Sequence, residues 1–300
     1  MASWQAHLVS SLLRWTLKRQ LARATVVEDV RALFNRGGGG RPPGVAVSEA
    51  TVGGIRCEWV EPAGGGAHGT LLYLHGGGYV ACSPRTHRPI TGFFALRGFR
   101  VCVPDYRLAP ENPFPAGLED ALAVYRELAA RGPVVLAGDS AGGGLSLSLM
   151  LSLKERGLPQ PAAAALFSPL TDLAARGNSL IRNEARCAMF MARGIASVAP
   201  AYIPGLPADT PLASPVYAEL AGLPPLLVHV GGDEVLLDDS VRLAERARAA
   251  GVPVELKVWP VVPHCWQLFH RYIPEGVVSL TQAAAFLKDA AGRAVRAPAA

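Results

Sequence analysis

The segment Gly138-Asp139-Ser140-Ala141-Gly142 constrains this chain more than any other. It follows an apolar β-type run, Val134 to Ala137, and precedes a helix-like stretch, Gly143 to Glu155. A serine between a strand and a helix lies on a sharp, strained turn that exposes its hydroxyl beyond the sheet, and only small residues fit beside it. The pattern predicts a nucleophilic serine at position 140. The alternative is a glycine-rich helix start at which Asp139 or Ser140 only caps the helix.

Strand-like and helix-like stretches alternate through most of the chain. The strand-like runs are Val45–Val52, Ile55–Val60, Thr70–Leu74, Phe99–Val103, Val134–Ala137, Ala162–Phe167, Leu226–Val230 and Val254–Trp259. The helix-like stretches are 86–97, 118–130, 143–155, 239–250 and 277–291. Gly53-Gly54 predicts a hairpin between the first two runs. The alternation predicts an α/β fold with a mainly parallel sheet and helices on both faces.

Composition narrows the class of protein. The chain has 300 residues, half of them apolar, which suits one large folded domain. Its net charge of +5 comes from scattered basic residues, so we expect no nucleic-acid partner. The five cysteines are widely spaced with no C-x-x-C, which predicts no metal, no cofactor site and a reducing compartment. The chain shows no secretory signal and no 18-residue apolar span, so we expect a cytoplasmic protein.

Two parts of the chain lie outside the regular alternation. Residues 3–24 place Trp4, Leu8, Leu12 and Trp15 on one helical stripe, opposed by basic residues. Such a helix would either lie on a membrane surface or pack on its own protein, and we expect packing. Residues 37–44 are rich in glycine and proline and predict a linker. Residues 171–215 are broken by prolines and predict short helices that would roof a pocket together with the N-terminal helix.

A second glycine-rich segment follows the strand-like run 70–74. It reads His75-Gly76-Gly77-Gly78-Tyr79. Glycines at a strand end leave backbone N–H groups uncovered and free to point at a ligand oxygen. The segment therefore predicts an oxyanion hole, with a flexible loop as the alternative.

Three loops at carboxyl ends of strands carry the residue types of a catalytic triad. A serine hydroxyl needs a base, and the base needs a third group that fixes its tautomer. Ser140, Asp233 and His264 each follow a strand-like run, and their order is that of the α/β-hydrolase arrangement. For the acid, Asp238 and Asp239 are alternatives to Asp233, although they stand at a helix start where carboxylates commonly cap.

Together these motifs resemble the bacterial hormone-sensitive-lipase-like (family IV) carboxylesterases. The resemblance rests on His75-Gly76-Gly77-Gly78, on residues 105–111 (DYRLAPE), on residues 138–143 (GDSAGG), and on Gly231-Gly232-Asp233 with His264. It implies an α/β-hydrolase fold in which Ser140 is the nucleophile, His264 the base and Asp233 its orienting acid. The resemblance also implies an oxyanion hole formed by the N–H groups of Gly77, Gly78 and Ala141. Supporting roles fall to His75, Gly76, Glu111 and Asp139.

The same resemblance implies a domain plan and an activity. Residues 1–45 would form an N-terminal helical cap segment and 46–300 the catalytic domain, with inserted cap helices at about 175–215. The expected reaction is hydrolysis of small esters of short to medium acyl chain through an acyl-enzyme. An amidase or deacetylase with the same triad and a non-catalytic ligand-binding protein are the alternatives. The run Val254–Trp259 would form an exposed sheet edge through which a homodimer could pair.

Overall fold

A computed structural model describes residues 2–36, 39–65 and 69–296 of the protein. Within these ranges the strands are β1 (Val45–Val52), β2 (Ile55–Pro62), β3 (Gly69–Leu74), β4 (Phe99–Pro104), β5 (Val134–Asp139), β6 (Ala164–Phe167), β7 (Leu226–Gly231) and β8 (Val254–Trp259). The helices of the main body are α4 (Arg88–Ala95), α5 (Ala116–Ala129), α6 (Ala141–Glu155), α10 (Leu237–Ala249) and α11 (Pro274–Arg296). The remaining helices are α1 (Trp4–Trp15), α2 (Leu17–Leu21), α3 (Val27–Asn35), α7 (Ser179–Arg182), α8 (Ala192–Ala196) and α9 (Val198–Tyr202).

The strands form one sheet in the order β1-β2-β4-β3-β5-β6-β7-β8. β1 and β2 pair antiparallel across the predicted Gly53-Gly54 turn, β2 pairs antiparallel with β4, and every pairing from β4 to β8 is parallel. The mainly parallel sheet predicted from the alternation is confirmed. The carboxyl ends of β3, β5, β7 and β8 therefore lie along one edge of the sheet, where side chains from distant parts of the chain can meet.

Both faces of the sheet are covered by apolar side chains. Leu72 and Leu74 of β3 pack with helices α5, α6 and α10 on one side, while Leu71 and Tyr73 pack with α4 and α11 on the other. Successive residues of a strand point to opposite faces, so a strand buried on both sides needs a continuous apolar run. This is the pattern that the central strands show in the sequence.

The N-terminal segment differs from its prediction. The single helix expected over residues 3–24 is divided into α1 and α2, and the sequence pattern did not predict α3. As expected, α1 packs on the protein, but it does not do so through its apolar stripe: Trp4, Leu8, Leu12 and Trp15 are 58–70% exposed. The helix is attached through other residues. Of the predicted linker, residues 37 and 38 lie outside the described residues.

The region between β6 and β7 contains the short helices α7, α8 and α9, as its broken pattern predicts. Among the described strands, β8 pairs with β7 alone and stands at one end of the sheet, so its other side is a sheet edge. Among the helices that the structure describes, none combines the length and the apolar character needed to cross a membrane.

Candidate active site

Ser140 lies on a strained turn between β5 and α6. Its backbone angles, φ 52° and ψ −124°, are outside the regions that residues with side chains favour. The turn is held by a hydrogen bond from the Ser140 N–H to the Phe167 carbonyl at 2.8 Å, and the Ser140 carbonyl accepts from Leu170 at 2.9 Å. A side chain at Gly142 would collide with the Leu74 carbonyl. The glycine pattern around Ser140 therefore follows from the close approach of α6 to the end of β3.

The imidazole of His264, in the loop after β8, is fixed by a buried carboxylate. Its Nδ1 lies 2.6 Å from Oε2 of Glu234, which follows β7. The other oxygen of that carboxylate, Oε1, accepts hydrogen bonds at 2.6 Å from the Gly231 N–H and from the Ser168 hydroxyl. Both Glu234 and His264 are buried. A carboxylate on Nδ1 holds the proton there and leaves Nε2 as the acceptor, which is the tautomer that a general base needs.

The structure corrects the prediction for Asp233. Its side chain is partly exposed, and Oδ1 lies 3.5 Å from Nε of Arg186 rather than near His264. Residues 231–234 form a turn in which the Glu234 N–H donates to the Gly231 carbonyl, and adjacent side chains of such a turn point in different directions. Glu234 faces inward and Asp233 outward for this reason.

Two other acids considered for the triad also have different partners. Asp238 accepts from the Ser179 N–H and pairs with Arg182, while Asp239 accepts from the N–H groups of Thr171 and Asp172. Both carboxylates hold the segment that follows β6. Burial raises the pKa of Asp239 to about 7, because that environment favours the uncharged acid.

The loop after β3 carries the predicted glycines. Gly77 and Gly78 have φ of 119° and 64°, and a side chain at Gly77 would collide with the Ala81 carbonyl. Within the described ranges, the N–H groups of Gly77, Gly78 and Ala141 have no hydrogen-bond acceptor. Gly77, Gly78 and Ser140 all line one cavity, and Ala141 directly follows Ser140 at the start of α6. Free N–H groups at a helix start and in a glycine loop favour a developing negative charge.

Asp139 connects the serine turn to the glycine loop. Its Oδ1 accepts from the Tyr73 hydroxyl at 2.6 Å and from the Gly76 N–H at 3.1 Å, and its Oδ2 lies 3.2 Å from Nε2 of His87. Burial alone would raise the pKa of this carboxyl, but His87 and these hydrogen bonds outweigh it and lower the pKa to about 2. A side chain on Gly76 would collide with Asp139. Gly76 thus allows the two loops to touch.

His75 stabilises the same loop from its other side. Its Nδ1 lies 2.8 Å from the Gly76 carbonyl, and its ring stacks on Tyr106 with 4.2 Å between ring centroids. The Tyr106 hydroxyl donates to the His75 carbonyl at 2.7 Å. Burial lowers the pKa of His75 to about 4, so the ring is neutral near pH 7 and acts through hydrogen bonding and stacking.

Glu111 is bound to the N-terminal segment. Its two carboxylate oxygens each accept from Arg31 of α3 at 2.7 Å. The same guanidinium donates to the carbonyls of Val80 and Ala109. Glu111 therefore helps to attach the N-terminal segment to the loop after β4, while the contact of Arg31 with Val80 attaches it to the loop after the glycines. This is a different role from direct support of the triad.

The cavity has a volume of about 760 Å³ and an apolar lining. Ser140 and His264 line it, together with side chains from α1–α3 and from residues 189–201. Nε2 of His264 has no hydrogen-bond partner in the part of the chain that the structure describes. Cys82 and Cys265 also line the cavity, but burial raises the pKa of both thiols, that of Cys82 to about 12, so they are poor nucleophiles. Among the described residues, no group of three or more His, Cys, Asp or Glu side chains is placed to hold a metal ion.

Sequence reasoning missed three residues of this site: Glu234, His87 and Arg31. Glu234 is adjacent to the predicted acid, and only its position directly after Asp233 could have suggested it. His87 and Arg31 lie in stretches with no motif. Their partners, Asp139 and Glu111, are 52 and 80 residues distant in the chain, so no local pattern could have connected them.

Comparison with known proteins gives a consistent result. Residues 71–268 match a family model described as alpha/beta hydrolase fold. The chain is 41% identical to an acetyl-hydrolase of Streptomyces hygroscopicus over 303 residues, covering 99% of this chain and 100% of that protein. A crystal structure of EstE5 superposes with a TM-score of 0.92 at 37% identity, covering 97% of this chain and 100% of the other. An esterase from the bacterial hormone-sensitive lipase family superposes with a TM-score of 0.89 at 39% identity and the same coverage.

The matched region contains the glycine loop, Ser140, Glu234 and His264. Both structural relatives are covered over their full length, so the likeness extends beyond the sheet to the N-terminal and inserted segments. On these grounds the chain belongs to the α/β-hydrolase superfamily and, within it, to the bacterial hormone-sensitive-lipase family of carboxylic ester hydrolases.

Proposed function

We propose that this protein is a serine carboxylesterase that cleaves uncharged esters of short to medium acyl chain through an acyl-enzyme. Ser140 is the nucleophile, His264 the base and Glu234 the acid that orients it. One observation carries the proposal: the imidazole of His264 is fixed at Nδ1 by Glu234, while its Nε2 has no partner among the described residues, and His264 lines the same cavity as Ser140.

In the first step Oγ of Ser140 attacks the carbonyl carbon of the ester and its proton passes to Nε2 of His264. The carbonyl oxygen becomes negative and accepts hydrogen bonds from the N–H groups of Gly77, Gly78 and Ala141. The tetrahedral intermediate then collapses. The bond to the alcohol oxygen breaks, His264 gives its proton to the departing alcohol, and an acyl-Ser140 ester remains.

In the second step water attacks the acyl-enzyme. His264 takes a proton from the water, the acyl bond to Oγ of Ser140 breaks, and the proton returns to the serine as the acid leaves. Glu234 stabilises the imidazolium that forms in both steps, because its carboxylate lies against Nδ1.

The lining of the cavity supports the substrate class. Its volume of about 760 Å³ is within the range of roughly 300–1,000 Å³ for small-molecule sites. Leu13, Leu17, Phe34, Met189 and Phe190 contribute apolar surface. This surface suits an uncharged ester with acyl and alcohol groups of modest size rather than a charged substrate.

Two segments act as a cap over this cavity in our proposal, an N-terminal one within residues 1–45 and an inserted one at about 175–215. Both contribute lining residues, among them Leu21, Val30, Ile195 and Val198. In the inserted segment, Tyr202 stacks on Tyr79 of the glycine loop with 3.7 Å between ring centroids. The cap is thus in direct contact with the loop that would bind the oxyanion.

The test is kcat/KM on p-nitrophenyl esters from acetate to laurate for the wild type and Ser140→Ala. We expect an optimum at short to medium chains and a loss of at least about 10³-fold in Ser140→Ala. Unchanged activity in Ser140→Ala, or none in either protein, would contradict the proposal. Matched acetate esters and acetamides extend the test, because faster cleavage of the amide would assign the same site to an amidase or deacetylase.

A further inference from the structure

The outward face of α1 carries an apolar stripe. Its members, Trp4, Leu8, Leu12 and Trp15, are exposed by 58–70% although their spacing places them on one side of the helix. We call this set the outer stripe. None of the four lines the cavity. A contiguous exposed apolar patch on a helix marks a surface that contacts something else.

The helix is attached to the protein through its opposite side. Ala6 and Ser10 are buried, and Ala6 packs with Ile273 and Trp266. At the start of the helix, Ser3 donates hydrogen bonds from its N–H and hydroxyl to the carboxylate of Glu275 at 2.6 and 2.8 Å. These contacts fix which side faces out. The outer stripe is therefore exposed while the helix is packed on the protein.

Within the N-terminal segment itself, the side-chain charge of α1 and α2 is of one sign. Residues 2–27 contain no Asp or Glu but four basic residues, Arg14, Lys18, Arg19 and Arg23. Among the described residues none of the four forms an ion pair with a carboxylate. The guanidinium of Arg19 lies 3.9 Å above the ring of Trp15, next to the stripe.

Arg14 and Lys18 point toward the protein. Arg14 donates to the Arg186 carbonyl at 2.7 Å, and Lys18 donates to the Glu184 and Cys187 carbonyls. These contacts are with neutral carbonyl oxygens, so neither side chain is paired with a carboxylate there. Arg19 and Arg23 are exposed. The partner of this surface should therefore combine apolar material with negative charge at its boundary.

We propose that α1 docks on an anionic lipid surface, with the outer stripe inserted at the boundary between headgroups and acyl chains. Tryptophans prefer this boundary, and Trp4 and Trp15 stand at the two ends of the helix. Basic residues beside an inserted apolar face add attraction to anionic headgroups. A second copy of the chain fits less well, because a two-fold pairing through α1 would bring these basic clusters together.

Binding of α1 to lipid would affect how substrates reach the cavity. Leu13 of α1 and Leu17 of α2 line the cavity, on another side of the same segment. Val26, more than half exposed, also lines it, so the rim of the cavity reaches the surface near this segment. Docking of α1 would place the rim of the cavity near the lipid. The inference goes beyond the proposed function and does not depend on it.

The test is flotation with vesicles of phosphatidylcholine alone and of phosphatidylcholine mixed with phosphatidylglycerol. The protein is used as Ser140→Ala, so that binding is measured without hydrolysis. We expect flotation on the mixed vesicles that weakens with salt, and a loss of about tenfold or more in apparent affinity when all four residues of the outer stripe are changed to Ser. The control changes two other exposed residues, Leu96→Ser and Val295→Ser, which are 54% and 70% exposed, and should bind like the parent protein.

A second variant, Arg19→Glu with Arg23→Glu, changes exposed charges without removing apolar contacts. It should weaken binding to the mixed vesicles and keep the thermal melting temperature, so the test does not depend on the folding of the fourfold variant. Equal binding of all variants, no flotation of the parent protein, or no preference for the anionic vesicles would overturn the proposal. The proposal would also be overturned if light scattering showed the parent protein to be a dimer and the fourfold Ser variant a monomer, while the parent protein did not bind vesicles. In every case esterase activity is assayed separately with Ser140 restored.

Discussion

Exchanging the two neighbouring acids of the loop after β7, one at a time, gives the sharpest test of the site. In Glu234→Gln an amide replaces the carboxylate that contacts His264. Oε1 of Glu234 accepts from the Gly231 N–H and the Ser168 hydroxyl, so the amide oxygen is retained at that position by the Gly231 donor. The amide NH₂ is then directed at Nδ1 of His264. Nδ1 of the imidazole must then accept a hydrogen bond, so the ring carries its proton on Nε2. With Nε2 protonated, the ring cannot take the proton of Ser140.

The expected loss combines the wrong tautomer with the missing negative charge beside the imidazolium. Replacing the orienting carboxylate of a serine triad by an amide lowers kcat by about 10⁴. For Glu234→Gln we expect a loss of roughly 10³–10⁴ in kcat, equal to about 4–5.5 kcal/mol of transition-state stabilisation.

Asp233→Asn is the matched control. Its carboxylate is 3.5 Å from Arg186 at a partly exposed position, and such a pair contributes about 0–1 kcal/mol to stability. Its kcat should remain near that of the wild type.

The assay is kcat and KM on p-nitrophenyl butyrate for the wild type and both variants, with melting temperatures measured alongside. KM should change little in Glu234→Gln, because the carboxylate does not contact substrate. If Asp233→Asn loses activity by 10³ or more while Glu234→Gln stays active and folded, our assignment of the acid is refuted. Equal, small losses in both variants would refute the tautomer argument as well.

Three further predictions concern stability, packing and the N-terminal segment. Burial lowers the pKa of His229 to about 3, below the value of about 6.5 for an unfolded chain. Below pH 6.5 the unfolded state therefore gains a proton at His229 that the folded state does not, and the free energy of unfolding falls by about 3 kcal/mol by pH 4. His229→Gln should reduce this fall in the free energy of unfolding, measured by denaturant titration at both pH values. Phe190 contacts the ring of His264 edge-on, with 5.0 Å between ring centroids. Phe190→Ala should lower kcat/KM by about threefold to tenfold while the melting temperature stays near that of the wild type. Arg31→Met removes the attachment to Glu111 and to the Val80 carbonyl and should raise KM several-fold with a smaller change in kcat, whereas equal KM values would show that this contact does not shape the cavity.

Much of the fold was predictable because it depends on neighbours in the chain. The strand-like runs follow from continuous apolar stretches, and the turn at Ser140 follows from glycines at positions 138 and 142. The positions of Ser140 and His264 at carboxyl ends of strands could be inferred from the alternation of strands and helices. A parallel sheet then brings such loops to one edge, and in the structure Ser140 and His264 line the same cavity.

The acid that contacts His264 was not predictable in this way. Asp233 and Glu234 are adjacent, carry the same charge and follow the same strand. Which of them faces inward depends on the turn at Gly231 and on contacts with Ser168 and His264, 66 and 30 residues away from Glu234. A local pattern contains no information on such partners.

The N-terminal helix shows the same division. The spacing of apolar residues over 3–24 was enough to predict an amphipathic helix, and α1 over Trp4–Trp15 lies within that stretch. The buried side of the helix depends instead on long-range contacts, namely the hydrogen bond of Ser3 to Glu275, 272 residues away, and the packing of Ala6. Periodicity fixes the direction of side chains relative to their own helix axis, whereas the side that meets the protein depends on distant surfaces that periodicity does not describe.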